Sequence, residues 1–212
     1  MFLGSLNQTS GNFLSSQRTI PASVPIRHIV ISRGDLGIYE TVRLIKDQVQ
    51  QGIRQPTIRA TVQSILAGLP SGSSQNEIAQ AFVKWFGANI RYRLDDDVSM
   101  TEHGLQPIHI AQCPIHYRHC EAVEIVSTPP QILAQRSEDC DGQVLLMGTF
   151  LTLAGIKWCP VIVALDPSIP REFTHIYLIA NLDGSFVPID TVNTSQPFGW
   201  EPPNPIRREV LC

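Results

Sequence analysis

The chain has 212 residues, 43% of them hydrophobic and 17% charged, which is enough apolar material for one sizeable domain with a real core. A formal charge of −3 argues against a nucleic-acid footprint, which would need a basic face or stripe. No apolar run reaches the ~18 residues of a membrane span, and residues 1–6 lack the basic flank and apolar stretch of a signal peptide, so cytoplasmic synthesis is expected.

Residues 1–26 are rich in Ser, Thr, Gln and Asn and read as an extended arm, disordered or ordered against a partner. A short strand is expected over 26–32, then a turn at Gly34-Asp35. Ile38, Val42, Ile45 and Val49 recur at helical spacing up to Gly52. Ile58, Val62, Ile65 and Leu66 mark a second helix, closed by Gly68 and Pro70. Ser74-Gln75-Asn76-Glu77 fits a capping box, in which serine and glutamate satisfy each other's orphan amides. The helix it opens has Ile78, Ala81, Phe82, Trp85 and Phe86 on its apolar face, and Ile90-Arg91-Tyr92 leaves it extended.

Residues 95–121 follow no period and hold four of the six histidines and two of the five cysteines. Ser127-Thr128-Pro129-Pro130 starts a short helical piece, since proline suits a first turn. Glu138-Asp139-Cys140-Asp141-Gly142 then precedes an almost wholly apolar stretch over 144–154, whose length and closing Gly155 favour a buried helix. Three strand-like segments follow at 158–165, 174–181 and 185–191, the last two joined by Asp183-Gly184 as a tight hairpin. Helices first, then a central helix, then an antiparallel meander make an α+β layout. The domain reading is an arm at 1–26, a core at 27–195 with a Cys/His-rich insertion at 95–121, and a proline-rich tail at 196–212 wrapping the surface.

The hairpin carries the first chemical signal. If Asn181 pairs with Gly184, His175 lies opposite Asp190; a two-residue loop instead puts them one diagonal apart on the same face. Either register leaves the imidazole within reach of the carboxylate, as an orienting acid and a catalytic base must be. Cys140 can supply the nucleophile. A cysteine in the first turn of a helix faces unpaired amides at the positive end of the dipole, which favours thiolate over thiol. The same amides can stabilise an oxyanion. Asp139 and Asp141 oppose the thiolate, a cost that a nearby imidazolium must outweigh.

Asp139-Cys140-Asp141-Gly142, with the Leu-rich helix ending Leu153-Ala154-Gly155-Ile156, resembles the transglutaminase-like superfamily. Thr174-His175-Ile176-Tyr177 and Gly184-Ser185-Phe186-Val187-Pro188-Ile189-Asp190 resemble its second and third motifs, in the right order and spacing, and the likeness covers residues 76–192. The segment 128–135 is similar to the proline-led stretch that precedes the cysteine motif in phage and bacterial members. The resemblance implies a papain-like fold without a cofactor, and a Cys-His-Asp triad acting on amide bonds. Cys140 would be the nucleophile, His175 the general base and acid, and Asp190 the orienter. Two departures stand out. Glu138 occupies a position that is usually glycine, and the stretch between Tyr92 and Pro129 is longer than the family pattern.

Other candidates read more plainly. Cys113, His116 and one of His119 or Cys120 have spacing compatible with zinc, which wants four tetrahedral ligands, and His103 or His109 could supply another. Adjacent His119 and Cys120 suit a compact site poorly, so an irregular loop, a lid or a partner-contact surface is the plainer reading. Asp95-Asp96-Asp97 reads as a solvated turn rather than a calcium site. Cys159 is expected in the core and Cys212 has no legible role; an odd count of five cysteines argues against a disulfide framework. Two functions follow. One is a cysteine amidase or peptidase acting on a protein or peptide amide, with hydrolysis favoured over cross-linking. The other is a non-catalytic assembly module, such as a phage virion or tail component, held through its arm and tail.

Overall fold

The computed structural model describes residues 34–93 and 127–212, together with the pairing of two short strands at 29–30 and 123–124. The arm at 1–26 and the insertion at 95–121, with Cys113, His116, His119, Cys120 and Asp95-Asp96-Asp97, lie outside the described residues. In chain order the elements are β1 (Ile29–Val30), α1 (Asp35–Gly52), α2 (Pro56–Ala67), α3 (Gln75–Asn89), β2 (Arg91–Tyr92), β3 (Val123–Glu124) and α4 (Pro129–Gln135). Then come β4 (Ser137–Glu138), α5 (Cys140–Leu153), β5 (Trp158–Ala164), β6 (His175–Leu182), β7 (Ser185–Ile189) and β8 (Arg207–Val210).

The central helix is α5. Every residue from Asp141 to Leu151 is buried, because this helix is apolar on all sides and is covered on all sides. Ile45 and Val49 of α1, Ile58 and Val62 of α2, and Phe82 and Phe86 of α3 enter the same core. Phe150 of α5 meets Phe82 and Phe86 edge-on, with ring centroids 5.5 and 5.6 Å away, the arrangement that ring quadrupoles favour. The capping box expected at Ser74 is present: the Glu77 amide donates to Ser74 Oγ at 3.2 Å, and the Ser74 amide donates to Glu77 Oε2 at 2.8 Å. Among the described residues, no helix is long and apolar enough to cross a membrane.

A four-stranded antiparallel sheet, ordered β7-β6-β5-β8, packs against α5. The architecture is therefore α+β, with N-terminal helices and a buried helix that begins at Cys140 and lies on an antiparallel sheet. Alternation divides the sheet into two faces. Ile162, Ile176, Leu178 and Ala180 join the core shared with α5, while Val161, Val163, Tyr177 and Ile179 form a smaller cluster on the opposite face. Leu182 pairs with Ser185, so the β6–β7 loop has two residues. Asp183 at φ 52° and Gly184 at φ 92° give the type I′ twist that suits such a loop. The Asp183 carboxylate also accepts hydrogen bonds from the amides of Gln75 and Asn76, both at 3.2 Å, which ties the hairpin to the start of α3.

Two expectations are corrected at the C-terminal end. The segment 196–212 does more than wrap the surface, because β8 pairs along β5 and completes the sheet. That pairing sets Val210 opposite Val161, so Cys212 falls beside Cys159, with the two Cα atoms 4.7 Å apart and a disulfide between them. An odd number of cysteines does not prevent one bridge, and Cys140 remains a thiol.

Candidate active site

His175 is the first residue of β6, and Asp190 directly follows β7. The two-residue hairpin loop puts them one diagonal apart on the same face. His175 Nε2 lies 2.9 Å from Asp190 Oδ2, and the side chains are 11% and 1% exposed. An ionised carboxylate only accepts, so the shared proton sits on Nε2, and Nδ1 is the nitrogen left for proton exchange.

Asp190 is held from three sides. Beside the histidine, the amide of Val192 donates to Oδ1 at 3.0 Å and Asn193 Nδ2 donates to Oδ2 at 2.9 Å. Burial works against the charge, but the hydrogen bond and charge of His175, with the Asn193 and Val192 donors, hold the carboxyl below its ordinary value of 3.8. Asn193 was not foreseen in the sequence. The readable signal is an Asp followed two and three residues later by groups that can bond back to it, the pattern of an Asx turn.

The imidazole stacks on Tyr177, with ring centroids 6.2 Å apart and planes inclined by 23°. The Tyr177 hydroxyl donates to Glu201 Oε2 at 2.7 Å and accepts from Arg208 Nε at 3.2 Å. Burial, then the hydrogen bond to Glu201, pushes this phenol up to about 12. The C-terminal segment thus supports the residue beneath the imidazole, a role that composition alone did not disclose.

Cys140 is the first residue of α5, half-buried. Asp139 caps the helix, its Oδ1 accepting from the Gly142 amide at 3.2 Å. Glu138 is buried, and its side chain crosses the first helical turn directly over Gly142. A β-carbon on Gly142 would come within 2.0 Å of Glu138 Cγ. The Glu138 side chain fills the space that the absent side chain of Gly142 leaves.

The helix that Cys140 opens and the strand that follows it are of similar length. The 14 residues of α5 span about 21 Å, and the seven of β5 span about 23 Å. Residues 154–157 join the helix to β5. Val163, near the C-terminal end of β5, pairs with His175. His175 and Tyr177, two apart on β6, share the sheet face opposite the one packed on α5.

Among the described residues, no group of three His, Cys, Asp or Glu side chains could hold a metal ion. No protein-family model and no curated protein matches the chain. Solved structures with partial likeness include a candidate protease from Parabacteroides distasonis ATCC 8503, 11% identical with a TM-score of 0.46, over 70% of this chain and 25% of that one. A candidate cysteine protease from Cytophaga hutchinsonii is 11% identical with a TM-score of 0.43, over 65% of this chain and 37% of that one. A structure named as a TGase is 12% identical with a TM-score of 0.38, over 77% of this chain and 34% of that one. The chain thus spans little more than a third of any of these proteins at most.

Proposed function

We propose that the chain is a transglutaminase-like cysteine amidase or peptidase that forms an acyl-thioester on Cys140. The observation that supports this reading is the His175–Asp190 pair, largely shielded from solvent and oriented through Nε2. His175 Nδ1 accepts the thiol proton, and the thiolate sulfur attacks the amide carbonyl carbon. The amide of Cys140, at the positive end of α5, stabilises the oxyanion. As the tetrahedral intermediate collapses, the C–N bond breaks and the imidazolium donates its proton to the departing amine. Water, deprotonated by the same imidazole, attacks the thioester, and the carboxylic acid leaves as the thiol returns. Asp190 keeps one tautomer throughout and steadies the imidazolium.

Hydrolysis is the favoured outcome over transfer to a second amine. The substrate is a protein or peptide amide, and the chemistry needs no cofactor. An activated ester tests the reading: p-nitrophenyl acetate should leave an acetyl group on Cys140, located by peptide mass mapping. The acetyl should be absent in Cys140→Ser and slow to form in His175→Ala. Acetylation spread over other side chains, with none at Cys140, contradicts it and favours a scaffold without catalysis.

A further inference from the structure

Beside the paired strands β2 and β4 lies an open groove of about 830 Å³, within the range of ligand sites. Its lining includes Arg91, Arg93 and Arg136, and no acidic side chain among the described residues. Arg91 and Arg93 stand two apart on an extended segment, their amides donating to the carbonyls of Arg136 and Glu138, so they leave the backbone on the same side. Arg136 closes α4 in the left-handed conformation, φ 60°, where glycine or asparagine is the ordinary choice. Its guanidinium lies 5.6 Å over the Trp85 ring, and Nη1 donates to Asn89 Oδ1 at 3.1 Å, which fixes the group and leaves other N–H donors for a ligand. None of the three arginines forms an ion pair among the described residues. Among the described residues of a chain of net charge −3, this gathers positive charge in one concavity.

We propose that this groove binds an acidic segment of the peptide substrate, with the arginines gripping its carboxylates in bidentate fashion. The assignment rests on the reading of Cys140 as nucleophile. Ser137, on the groove wall, is three residues before Cys140, so the chain between them spans at most about 11 Å. A peptide whose scissile amide meets the thiol would lay side chains about three residues away over the arginines.

The test is fluorescence anisotropy of a fluorescein-labelled hexaglutamate peptide with the full chain. Saturable binding is expected, weakened about tenfold or more in Arg91→Gln/Arg93→Gln and by less in Arg91→Lys/Arg93→Lys, which keeps the charge but loses the bidentate fork. Binding should also weaken as NaCl rises from about 50 to about 500 mM. Cys140→Ser should bind as the parent does, so a failure of the catalytic reading and a failure of this one are separable. If circular dichroism shows the glutamine variant unfolded, Arg136→Asn, suited to the left-handed conformation, carries the same expectation. Absence of saturable binding, equal affinity in the folded glutamine or asparagine variant, binding indifferent to salt, or tighter binding of hexalysine or of a single-stranded oligonucleotide overturns the assignment.

Discussion

The indole of Trp158 lies against the backbone of Gly148, so close that a β-carbon there would come within 2.4 Å of the ring. Trp158 opens β5 and donates from Nε1 to Thr152 Oγ1 at 2.9 Å, which pins the strand to the turn of α5 from which it returns. This contact fixes the start of β5 against the second half of α5. Gly148→Ala should therefore cost about 1–3 kcal/mol. Urea denaturation reads the cost as a lower midpoint, and an unchanged midpoint would mean that the indole is free to move aside.

Asp190→Asn removes the charge that fixes His175. Alkylation of Cys140 should slow about tenfold or more while the fold persists. The wild-type carboxyl is held below 3.8, so its stabilising contribution is complete above the unfolded value and is lost as pH falls through the lower folded one. The exchange-protected Nε2–H of His175 should therefore still be visible by NMR at pH 5. Its absence at that pH would contradict the pairing.

Tyr177→Phe deletes the hydroxyl between Glu201 and Arg208 and should cost about 1–3 kcal/mol, because a charged acceptor loses a buried donor. In the wild type the folded state holds this phenolic proton up to about pH 12. The stabilisation is full below the unfolded phenol value and is lost as pH rises through the folded one. Thermal melts of both proteins between pH 9 and 12 check this: the wild type should lose its advantage over the variant as the alkaline range is crossed.

The Cys159–Cys212 bridge spans 53 residues, a loop for which chain entropy gives about 4 kcal/mol of stabilisation. Cys212→Ser, or reduction with dithiothreitol, should lower Tm by several degrees and loosen β8 from β5. Identical melts with and without reductant would show that β8 is held by its hydrogen bonds alone.

Much of this architecture is legible in local sequence. The apolar stretch after Cys140 is long enough to be only a buried helix, Ser74-Gln75-Asn76-Glu77 caps α3 as its chemistry requires, and Asp183-Gly184 makes the two-residue turn that sets His175 beside Asp190. What escaped is non-local. β8 lies in a proline-rich segment and becomes a strand only because β5 offers it an edge, and the disulfide follows from that register rather than from a count of cysteines. Asn193 and Tyr177 were invisible as site residues for a related reason: each acts through a partner fixed by tertiary structure. The arginine groove joins the end of α3 to the end of α4, segments with no periodic relation in the sequence.

The proposed function makes Cys140 a nucleophile whose proton passes readily to His175. An ordinary thiol is less than about 1% ionised at pH 6. Iodoacetamide labelling of the Cys140 peptide at that pH, followed by mass spectrometry, should run at least about tenfold faster than labelling of glutathione, and His175→Ala should abolish the difference. A rate no faster than glutathione's, or one that His175→Ala leaves unchanged, would contradict it.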